Sequence, residues 1–335
     1  MEEIHLEGIK QPLTVLFQRA DYMLCKRNYE GNEKPSFELK QVEVNGNAIG
    51  GLVFSTRTSQ LHRQILSKTG LDLSKSVENN TSRLTVEAIY QACLKLNPHD
   101  FTLRFDDKIV AVVFNQDTML STDPEEMEAR RTIERSTAIK APSLAAALAH
   151  TKKVQQVLAK PGMVERFFPN PEEAPLIDAI RNTYANLWTI EEDDNNEYPQ
   201  IIQAVKKNPH KFVLKQIEYA QYENENLNSI YFEQQILESM ANFTPMERSA
   251  YILMEKLQPT IVKNHIVKYM NMPPSIFEEV TPELGIFGTL LGNIVDGKVL
   301  HNVQLGHQLK TKLASENEGG IANGKSVYDS AYLVD

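Results

Sequence analysis

The sequence has 335 residues, of which 41% are apolar and 24% are charged, and its formal net charge at pH 7 is −9. Such a composition is typical of a globular protein with about two domains. The acidic balance argues against an extended nucleic-acid-binding surface, because such a surface needs clustered lysine and arginine side chains.

The first part of the chain predicts two strands followed by two helices. Residues 12–20 are an apolar run, and residues 37–45 alternate with a period of two, as strands do. Residues 56–67 and 83–95 follow the periodicity of amphipathic helices. Two short strands are predicted within residues 101–114, joined by a tight turn at two aspartates.

The middle of the chain predicts mostly helix. Residues 125–138 form a charged helical stretch. A second helical region follows Pro142, with Ser143 as its N-cap, and ends at the helix-stopping pair Pro161–Gly162. The acidic segment 191–197 predicts an exposed loop without a binding role.

The last part alternates between helices and strands, which indicates an α+β or α/β fold class. A boundary near residue 120 is predicted to divide the chain into a region 1–120 and a region 121–335. The predicted elements are a helix over 199–207, a strand over 211–215, a helix over 231–240, strands over 250–257 and 283–290, and a terminal strand and loop.

Glycine is scarce and clustered. The chain has 15 glycines among its 335 residues. This share is smaller than the roughly 7% of glycine in an average protein. Several fall in three clusters, Gly50–Gly51, Gly285–Gly288 and Gly319–Gly324. Because glycine allows backbone conformations and close approaches that other residues do not, these clusters predict special backbone positions.

The most unusual segment follows the predicted strand 211–215, which ends in Lys215. A nucleotide-binding strand should lead into glycines here, because only glycine lets consecutive N–H groups approach phosphate oxygens closely. Residues 216–227 contain no glycine and carry three glutamates, including Glu218. Their charges would oppose a triphosphate unless a metal ion lay between them.

Two cysteines, Cys25 and Cys93, are too few for a disulfide framework and lack metal-ligand spacing, which favours core thiols. No apolar run reaches the roughly 18 residues of a transmembrane helix. The start, MEEIHLEGIK, has no apolar signal-peptide core. We therefore predict a cytoplasmic protein with no membrane or nucleic-acid partner, although a processed secreted chain would look the same.

Several sequence blocks occur along nearly the whole chain in the order of one known family. They are RADYM at 19–23, LKQVEVN at 39–45, GGL at 50–52, ERSTAIKAPSLAAALAHTKKVQQVLAKPGM at 134–163, FVLK at 212–215, YILMEKL at 251–257, ELGIFG at 283–288 and GHQLKTKLASENEGGIANG at 306–324. Together these blocks resemble eukaryotic-type glutathione synthetase, an ATP-grasp ligase. The resemblance implies a reduced substrate-binding domain over 1–120 and an ATP-grasp domain over 121–335.

The family reaction is ATP-dependent peptide ligation. ATP phosphorylates the cysteine carboxylate of γ-glutamylcysteine, and the amine of glycine then attacks the acyl phosphate. The resemblance therefore implies ATP and Mg²⁺ as cofactors, and a γ-glutamyl dipeptide or an altered acceptor as substrate. Because the family is typically homodimeric, it also implies a homodimer.

The resemblance further implies that the chain is shorter than the family. It begins inside what is normally an interior helix and lacks a segment between Asn97 and Phe101. Natural shortening, an expressed fragment and an incomplete gene model would all produce this pattern.

The implied nucleotide contacts come from several blocks. Lysine neutralises phosphate charge, and residues 254–257 correspond to the hinge strand whose backbone recognises adenine. The family's glycine triad is absent, and its acidic residue in the last loop is a glutamate here. The implied ATP-binding residues are Lys152, Lys215, Tyr231, Met254, Glu255, Lys256, Leu257, Glu283, Lys312 and Glu318.

Three residues are implied to bind the metal. Glu43 and Asn45 are two apart in a predicted strand, so their side chains point to the same face and can share a cation. An exposed polar face of an edge strand would show the same spacing. The third family ligand lies just before the phosphate loop, where Glu218 is the nearest residue.

The implied dipeptide site departs most from the family. The implied substrate-binding residues are Arg19, Lys310, Ile321 and Ala322. Lys310 replaces an arginine and loses its two-pronged geometry, whereas Arg19 retains it. The serine loop of the family is reduced to residues 46–49, and Gln116 and Met119 stand where the family has an arginine and a tyrosine.

Two functional hypotheses remain open. The first is a ligase of the glutathione synthetase type whose family activity is weak, changed or lost, since a site without its hydrogen-bonding partners can lose discrimination by roughly 10⁴–10⁵. The second is a non-catalytic or repurposed binding protein on the same scaffold, favoured by the missing glycines and the reduced serine loop.

Overall fold

The computed structural model of the chain describes residues 2–27, 36–46, 49–95, 104–105, 108–114, 123–191, 197–217, 229–267 and 277–333. Helices and strands alternate along it, so the predicted mixture of α and β structure is confirmed. The helices are α1 Glu2–Leu6, α2 Leu52–Thr69, α3 Thr81–Cys93, α4 Pro124–Arg135, α5 Leu144–Ala149, α6 Lys152–Ala159, α7 Ala174–Thr183, α8 Glu197–Lys207, α9 Gln234–Asn242 and α10 Pro245–Ser249.

The strands begin with two long elements at positions that the sequence predicts. They are β1 Leu13–Lys26, β2 Phe37–Asn45, β3 Arg104–Phe105, β4 Lys108–Ile109, β5 Val112–Phe114, β6 Ile139–Ala141, β7 Leu187–Thr189, β8 Phe212–Gln216, β9 Ile230–Phe232, β10 Tyr251–Glu255, β11 Val262–Asn264, β12 Glu278–Asn293, β13 Val299–Leu313 and β14 Ser326–Asp329. None of the helices in the described ranges is long and apolar enough to span a membrane.

Packing divides the chain into two compact units. The first unit comprises Met1–Tyr22, Asn45–Ala147 and Thr260–Asp335, and the second comprises Met23–Val44 and Leu148–Pro259. Each unit is therefore discontinuous in sequence. The predicted domain boundary near residue 120 stays a prediction.

The first unit is built on a mixed sheet. Its strand order is β14-β13-β12-β1-β6-β5, with β11 also pairing with β12. The hairpin β12–β13 and the pair β1–β12 are antiparallel, whereas β1–β6 and β5–β6 are parallel. Helices α2 and α3 pack on this sheet and on each other.

The core of the first unit shows why α3 lies close to the sheet. Phe17, Ile139 and Phe287 are buried on the sheet side, and α3 contributes Ala88 and Ala92 to the same cluster. Because alanine has the smallest apolar side chain after glycine, these two positions let the helix backbone approach the strands. Burial of this apolar area stabilises the unit at roughly 25 cal/mol per Å².

The second unit is built on an antiparallel sheet with the order β7-β10-β8-β9. Helices α8 and α9 supply Val205 and Ile236 to its core, where they join Leu214 and Leu253 of the sheet. Since side chains alternate between the faces of a strand, this core uses only one face of β8 and β10.

Two local predictions are wrong in detail. The predicted helix over 231–240 begins later, at Gln234, because residues 230–232 pair with β8 as a strand. The predicted hairpin within 101–114 is limited to β3 and β4, and Val112–Phe114 instead pairs with β6 in the larger sheet. The aspartates of the predicted turn and most of the acidic segment 191–197 lie outside the described residues.

Replacement of Gly51 by alanine should destabilise the protein by about 1–3 kcal/mol. Gly51 precedes α2 with a φ of 98°, and an added Cβ would lie 1.7 Å from Gln308 Oε1. Gly50→Ala is the matched control, because a Cβ at Gly50 meets nothing within 4 Å. Urea unfolding measures both variants, and equal losses of stability would show that the predicted steric cause is wrong.

Candidate nucleotide and substrate site

Two lysines of the second unit reach neighbouring residues of β2. Lys152 is the first residue of α6, and its Nζ lies 3.6 Å from Glu43 Oε2. Lys215, near the end of β8, donates from Nζ to the carbonyl of Val42 at 3.3 Å. The N–H of Lys152 also donates to the carbonyl of Ile217 at 3.4 Å. The structure thus brings together Glu43, a predicted metal ligand, and Lys152 and Lys215, two predicted ATP contacts.

Both lysines are connected to the C-terminal end of β8, Lys215 as a residue of the strand and Lys152 through its N–H bond to Ile217. Lys215 pairs across the sheet with Ile252, and Val213 pairs with Met254. Cross-strand partners share a face, so Lys215 belongs to the face with Val213, Ile252 and Met254. The glycine-free segment begins directly after this end of the strand. Glu218, the predicted third metal ligand, lies outside the described residues, and its role stays a prediction.

The hinge-like segment 254–257 is hydrogen-bonded to Asn186 and Lys211, which lie in neighbouring segments. The N–H of Glu255 donates to the carbonyl of Asn186 at 2.9 Å, and Asn186 Nδ2 donates to Glu255 Oε2 at 2.8 Å. The N–H of Lys256 donates to the carbonyl of Lys211 at 2.8 Å. Since these two N–H groups already have acceptors, an adenine contact in this segment would rest on other atoms, including those of Leu257.

Tyr231 occupies the opposite face of the sheet from Lys215. It pairs with Leu214, and its ring lies in the core against Phe243 and Tyr251, at centroid distances of 5.9 and 5.7 Å. This packing gives the ring a structural role. The predicted nucleotide contact of Tyr231 stays a prediction that its ring position does not favour.

A buried carboxylate organises the predicted residues of the first unit. Arg19 donates from Nε to Asp21 Oδ1 at 2.6 Å and from Nη2 to Asp21 Oδ2 at 2.7 Å, while its Nη1 donates to the carbonyl of Gly50 at 2.9 Å. Asp21 is fully buried. The two-pronged guanidinium that was expected to hold a substrate carboxylate therefore holds a carboxylate of the protein.

Two more predicted residues contact the same aspartate. Asn45 Nδ2 donates to Asp21 Oδ2 at 3.1 Å, and Lys310 Nζ lies 3.5 Å from that oxygen. Lys310 Nζ also lies 2.5 Å from Glu283 Oε1. Residues predicted for substrate, metal and nucleotide thus form one network. Asp21 was not predicted as its centre, although an arginine and an aspartate two apart on a strand are a usable signal, since they share a face.

Burial and charge oppose each other at this network. Burial alone would lower the pKa of Lys310, but the charges of Glu283 and Asp21 outweigh it and raise the pKa. Burial raises the pKa of Tyr328, against the smaller opposite effects of Arg19 and Lys310. At neutral pH the network therefore contains a charged ammonium group at Lys310.

A buried acceptor lies next to this network. Gln308 is two residues before Lys310 on β13, so both side chains point to the same face. Its Oε1 is buried and has no hydrogen-bond partner among the described residues, and it adjoins the Cβ-free side of Gly51. A buried acceptor without a partner costs about 1–3 kcal/mol, so Gln308 Oε1 is an unsatisfied polar atom beside Gly51.

Lys312 makes a separate set of contacts. Its Nζ donates to the carbonyls of Glu316 and Asn317 at 2.6 and 2.9 Å. Glu318 pairs with Lys325 at 3.3 Å. These contacts order the start of the last loop, and they do not include the Asp21 network.

Ile321 and Ala322 lie in a turn of this last loop. The turn closes where the N–H of Gly324 donates to the carbonyl of Ile321 at 3.1 Å. Ala322 is exposed and Ile321 is half-buried. Their predicted contact with a substrate stays a prediction.

The predicted metal ligands form no complete site within one unit. Glu43 is paired with Lys152 in the second unit, and Asn45 is bonded to Asp21 in the first. Across the described ranges, no group of three or more histidine, cysteine, aspartate or glutamate side chains is arranged around a metal position. Oxygen donors of this kind suit Mg²⁺, which usually takes one or two protein carboxylates together with substrate phosphates and water.

The sequence matches known proteins over almost its full length. Residues 1–333 match the family model described as eukaryotic glutathione synthase, ATP binding domain. The chain belongs to this family. It is 31% identical to the glutathione synthetase of Bos taurus over 390 residues, which cover 99% of this chain and 77% of the bovine protein. It is 30% identical to the glutathione synthetase of Homo sapiens over 388 residues, with the same coverages.

A solved structure shows the same fold. It is described as the apo form of a glutathione synthetase like-effector from Globodera pallida, and it superposes with a TM-score of 0.74 at 33% identity. The match covers 99% of this chain and 80% of the other. The predicted fold class is therefore confirmed as glutathione synthetase-like, which is consistent with ATP-grasp architecture.

The Asp21→Asn variant should lose about 3–5 kcal/mol of stability, because it leaves Arg19 and Lys310 without the buried carboxylate that neutralises them. Asp178→Asn is the control, since Asp178 is exposed on α7, and it should change stability by less than about 0.5 kcal/mol. Chemical denaturation measures both. A loss for Asp21→Asn no larger than that of the control would contradict the central role of this carboxylate.

Proposed function

We propose that this protein is an ATP-dependent ligase of the glutathione synthetase type with an altered acceptor site. The observation that carries the proposal is the convergence of Lys152 and Lys215 on β2 at Val42 and Glu43, beside the end of β8. Two ammonium groups at one strand end can neutralise the charge of a bound triphosphate. Activity on γ-glutamylcysteine and glycine is then weak, changed or lost.

Mg²⁺-ATP is the cofactor that fits these residues. When bound, it supplies the phosphoryl group that activates a carboxylate for attack by an amine. Lys152 and Lys215 would hold the phosphates, and Glu43 would exchange its lysine partner for the metal ion. Asn45 and Glu218 complete the proposed metal set, and Glu283, Lys312 and Glu318 the proposed nucleotide set.

The contacts of Lys310 support an altered acceptor. A lysine carries its charge on one atom, and here Glu283 and Asp21 already neutralise it. Arg19 is likewise committed to Asp21. A substrate carboxylate would therefore compete with two protein carboxylates. The unpartnered Oε1 of Gln308 favours an acceptor that carries a hydrogen-bond donor at this place.

The remaining parts of the proposal follow from the family. Residues 1–120 would act as a reduced substrate-binding domain and residues 121–335 as the ATP-grasp domain. Ile321 and Ala322 would contact the substrate through their backbone. A cytoplasmic homodimer is the proposed working form.

The second candidate is a non-catalytic binding protein on the same scaffold. The sequence feature that favours it is the glycine-free segment 216–227, which carries glutamates in place of a phosphate loop. Under this proposal Lys152 and Lys215 stabilise β2 and β8 through their contacts with Glu43 and Val42 and have no nucleotide partner.

Calorimetric titration with Mg²⁺-ATP distinguishes the two candidates. The ligase predicts saturable binding, and Lys215→Met should weaken it at least about tenfold by removing one phosphate partner. Lys153→Met is the matched control, since Lys153 is also on α6 but pairs with Glu191, and it should bind ATP as the unchanged protein does. Absence of binding up to millimolar ATP would favour the non-catalytic protein.

Product formation tests the ligase further. ADP release should require an acceptor pair, with γ-glutamylcysteine and glycine compared against other γ-glutamyl dipeptides and amines. The Glu43→Ala variant should reduce acceptor-dependent ADP release about 100-fold or more, because charge stabilisation at a phosphoryl group is worth several kcal/mol. Unchanged release in this variant would reject the assignment of Glu43, and release without any acceptor would reject ligation.

A further inference from the structure

A cavity lies in the second unit, at the far end of α6 from Lys152. Its volume is about 570 Å³, which is within the usual range for small-molecule sites. It is formed by the last turn of α6, the segment around β7, and α8. Because α6 rises about 1.5 Å per residue, its two ends are roughly 10 Å apart.

One part of the cavity wall is apolar and aromatic. Trp188 and Tyr184 line it together with Leu187 and Ile201. Trp188 is braced from behind by the ring of Phe212, at a centroid distance of 5.5 Å. Rigid aromatic side chains of this kind provide contact area for a flat ligand at a low entropic cost.

The polar part of the wall has donors in excess. Among the lining residues are Lys160 and Arg181, and no aspartate or glutamate is among them. Arg181 donates from Nε and Nη2 to Glu165 and from Nη2 to the carbonyl of Lys160. Its Nη1 has no partner among the described residues, and neither has Lys160 Nζ.

Gln156 adds a third donor that lacks an acceptor. Its side chain is 1% exposed, and its Nε2 is a buried atom without a hydrogen-bond partner. Leaving a buried amide without a hydrogen bond is unfavourable by about 1–3 kcal/mol. The neighbouring Gln155 has an acceptor for its amide, because its Nε2 donates to Gln41 Oε1 at 3.2 Å. Rotation about the soft terminal torsion would turn Nε2 toward a ligand in the cavity.

We propose that this cavity binds a small aromatic carboxylate. The ring lies against Trp188 and Tyr184, and a carboxylate oxygen accepts a hydrogen bond from Gln156 Nε2. Lys160 supplies the positive charge that balances the carboxylate, and Arg181, whose charge is paired with Glu165, offers the donor of its Nη1. The site uses none of the residues proposed for ATP or for the ligase substrates. Binding of the carboxylate can therefore be tested independently of the proposed ligase function.

Phenylacetate is a suitable probe, with phenylacetamide as its uncharged match. Trp188 is the single tryptophan of the chain, so its fluorescence reports on the cavity directly, and phenylacetate absorbs little where tryptophan is excited. For a ligand of this size we expect a Kd on the order of 1 mM. Phenylacetamide should bind at least about fivefold more weakly, because it lacks the charge that Lys160 balances.

Two variants test the assigned contact. Gln156→Leu should weaken phenylacetate binding at least about fivefold and at the same time raise the melting temperature, since it removes an unsatisfied buried amide. Gln155→Leu is the matched control and should leave the affinity unchanged. Lys160→Met, at an exposed position, should abolish the preference for phenylacetate over phenylacetamide without affecting folding.

The fluorescence titrations of the three variants and the two probes distinguish binding at this cavity from its absence. A saturable change in Trp188 emission that is lost in Gln156→Leu and kept in Gln155→Leu supports the proposal. Equal affinities for the two probes, an unchanged affinity in Gln156→Leu, or no saturable change at about tenfold the expected Kd would each overturn it.

Discussion

The first unit depends on one buried carboxylate. Asp21 is fully buried, and a charge in that position is tolerated only when other charges and hydrogen bonds compensate for its lost hydration. Arg19, Asn45 and Lys310 provide that compensation from three strands. Gly285 makes room for it on β12, because a Cβ there would lie 2.6 Å from Asp21 Oδ1. The pairing of the strands therefore positions the polar network, and the network in turn stabilises that pairing.

The residues that resemble a glutathione synthetase site fall into two groups with different properties. In the second unit, Lys152 and Lys215 keep the charge that a nucleotide needs, although one pairs with Glu43 and the other with a carbonyl. In the first unit, Arg19 and Lys310 are already neutralised by protein carboxylates. This contrast is the basis of the proposal that a ligase of this type has an altered acceptor site.

Much of the architecture could be predicted from local sequence patterns. Strands β1 and β2 and helices α2 and α3 have strong periodicity, so their positions follow from the sequence alone. Short β9 could not be predicted in this way, because its three residues become a strand only by pairing with β8. Likewise, the special role of Gly285 follows from a side chain on another strand, although its glycine cluster indicates that some constraint exists.

The candidate site was predicted unevenly for a related reason. The lysine spacing and the strand positions of Glu43 and Asn45 survive as motifs, whereas the actual partner of each side chain is set by tertiary packing. Tyr231 shows this clearly, because only the register of β8 and β9 reveals that its ring faces away from Lys215. Asp21 belongs to the RADYM block, but the local sequence does not indicate a network around it. Its other members are Arg19, Asn45, Glu283 and Lys310.

The division of the chain has a consequence for how the protein folds. The first unit takes its central strands from both ends of the sequence, and the contact between Asp21 and Lys310 joins residues 289 positions apart. During synthesis from the N-terminus, residues Leu13–Tyr22 of β1 must wait for β12, their antiparallel partner. Such non-local pairing slows folding and prolongs the exposure of apolar strand surface. The yield of folded protein in a cell should therefore depend on chaperone capacity more strongly than its thermodynamic stability alone would suggest.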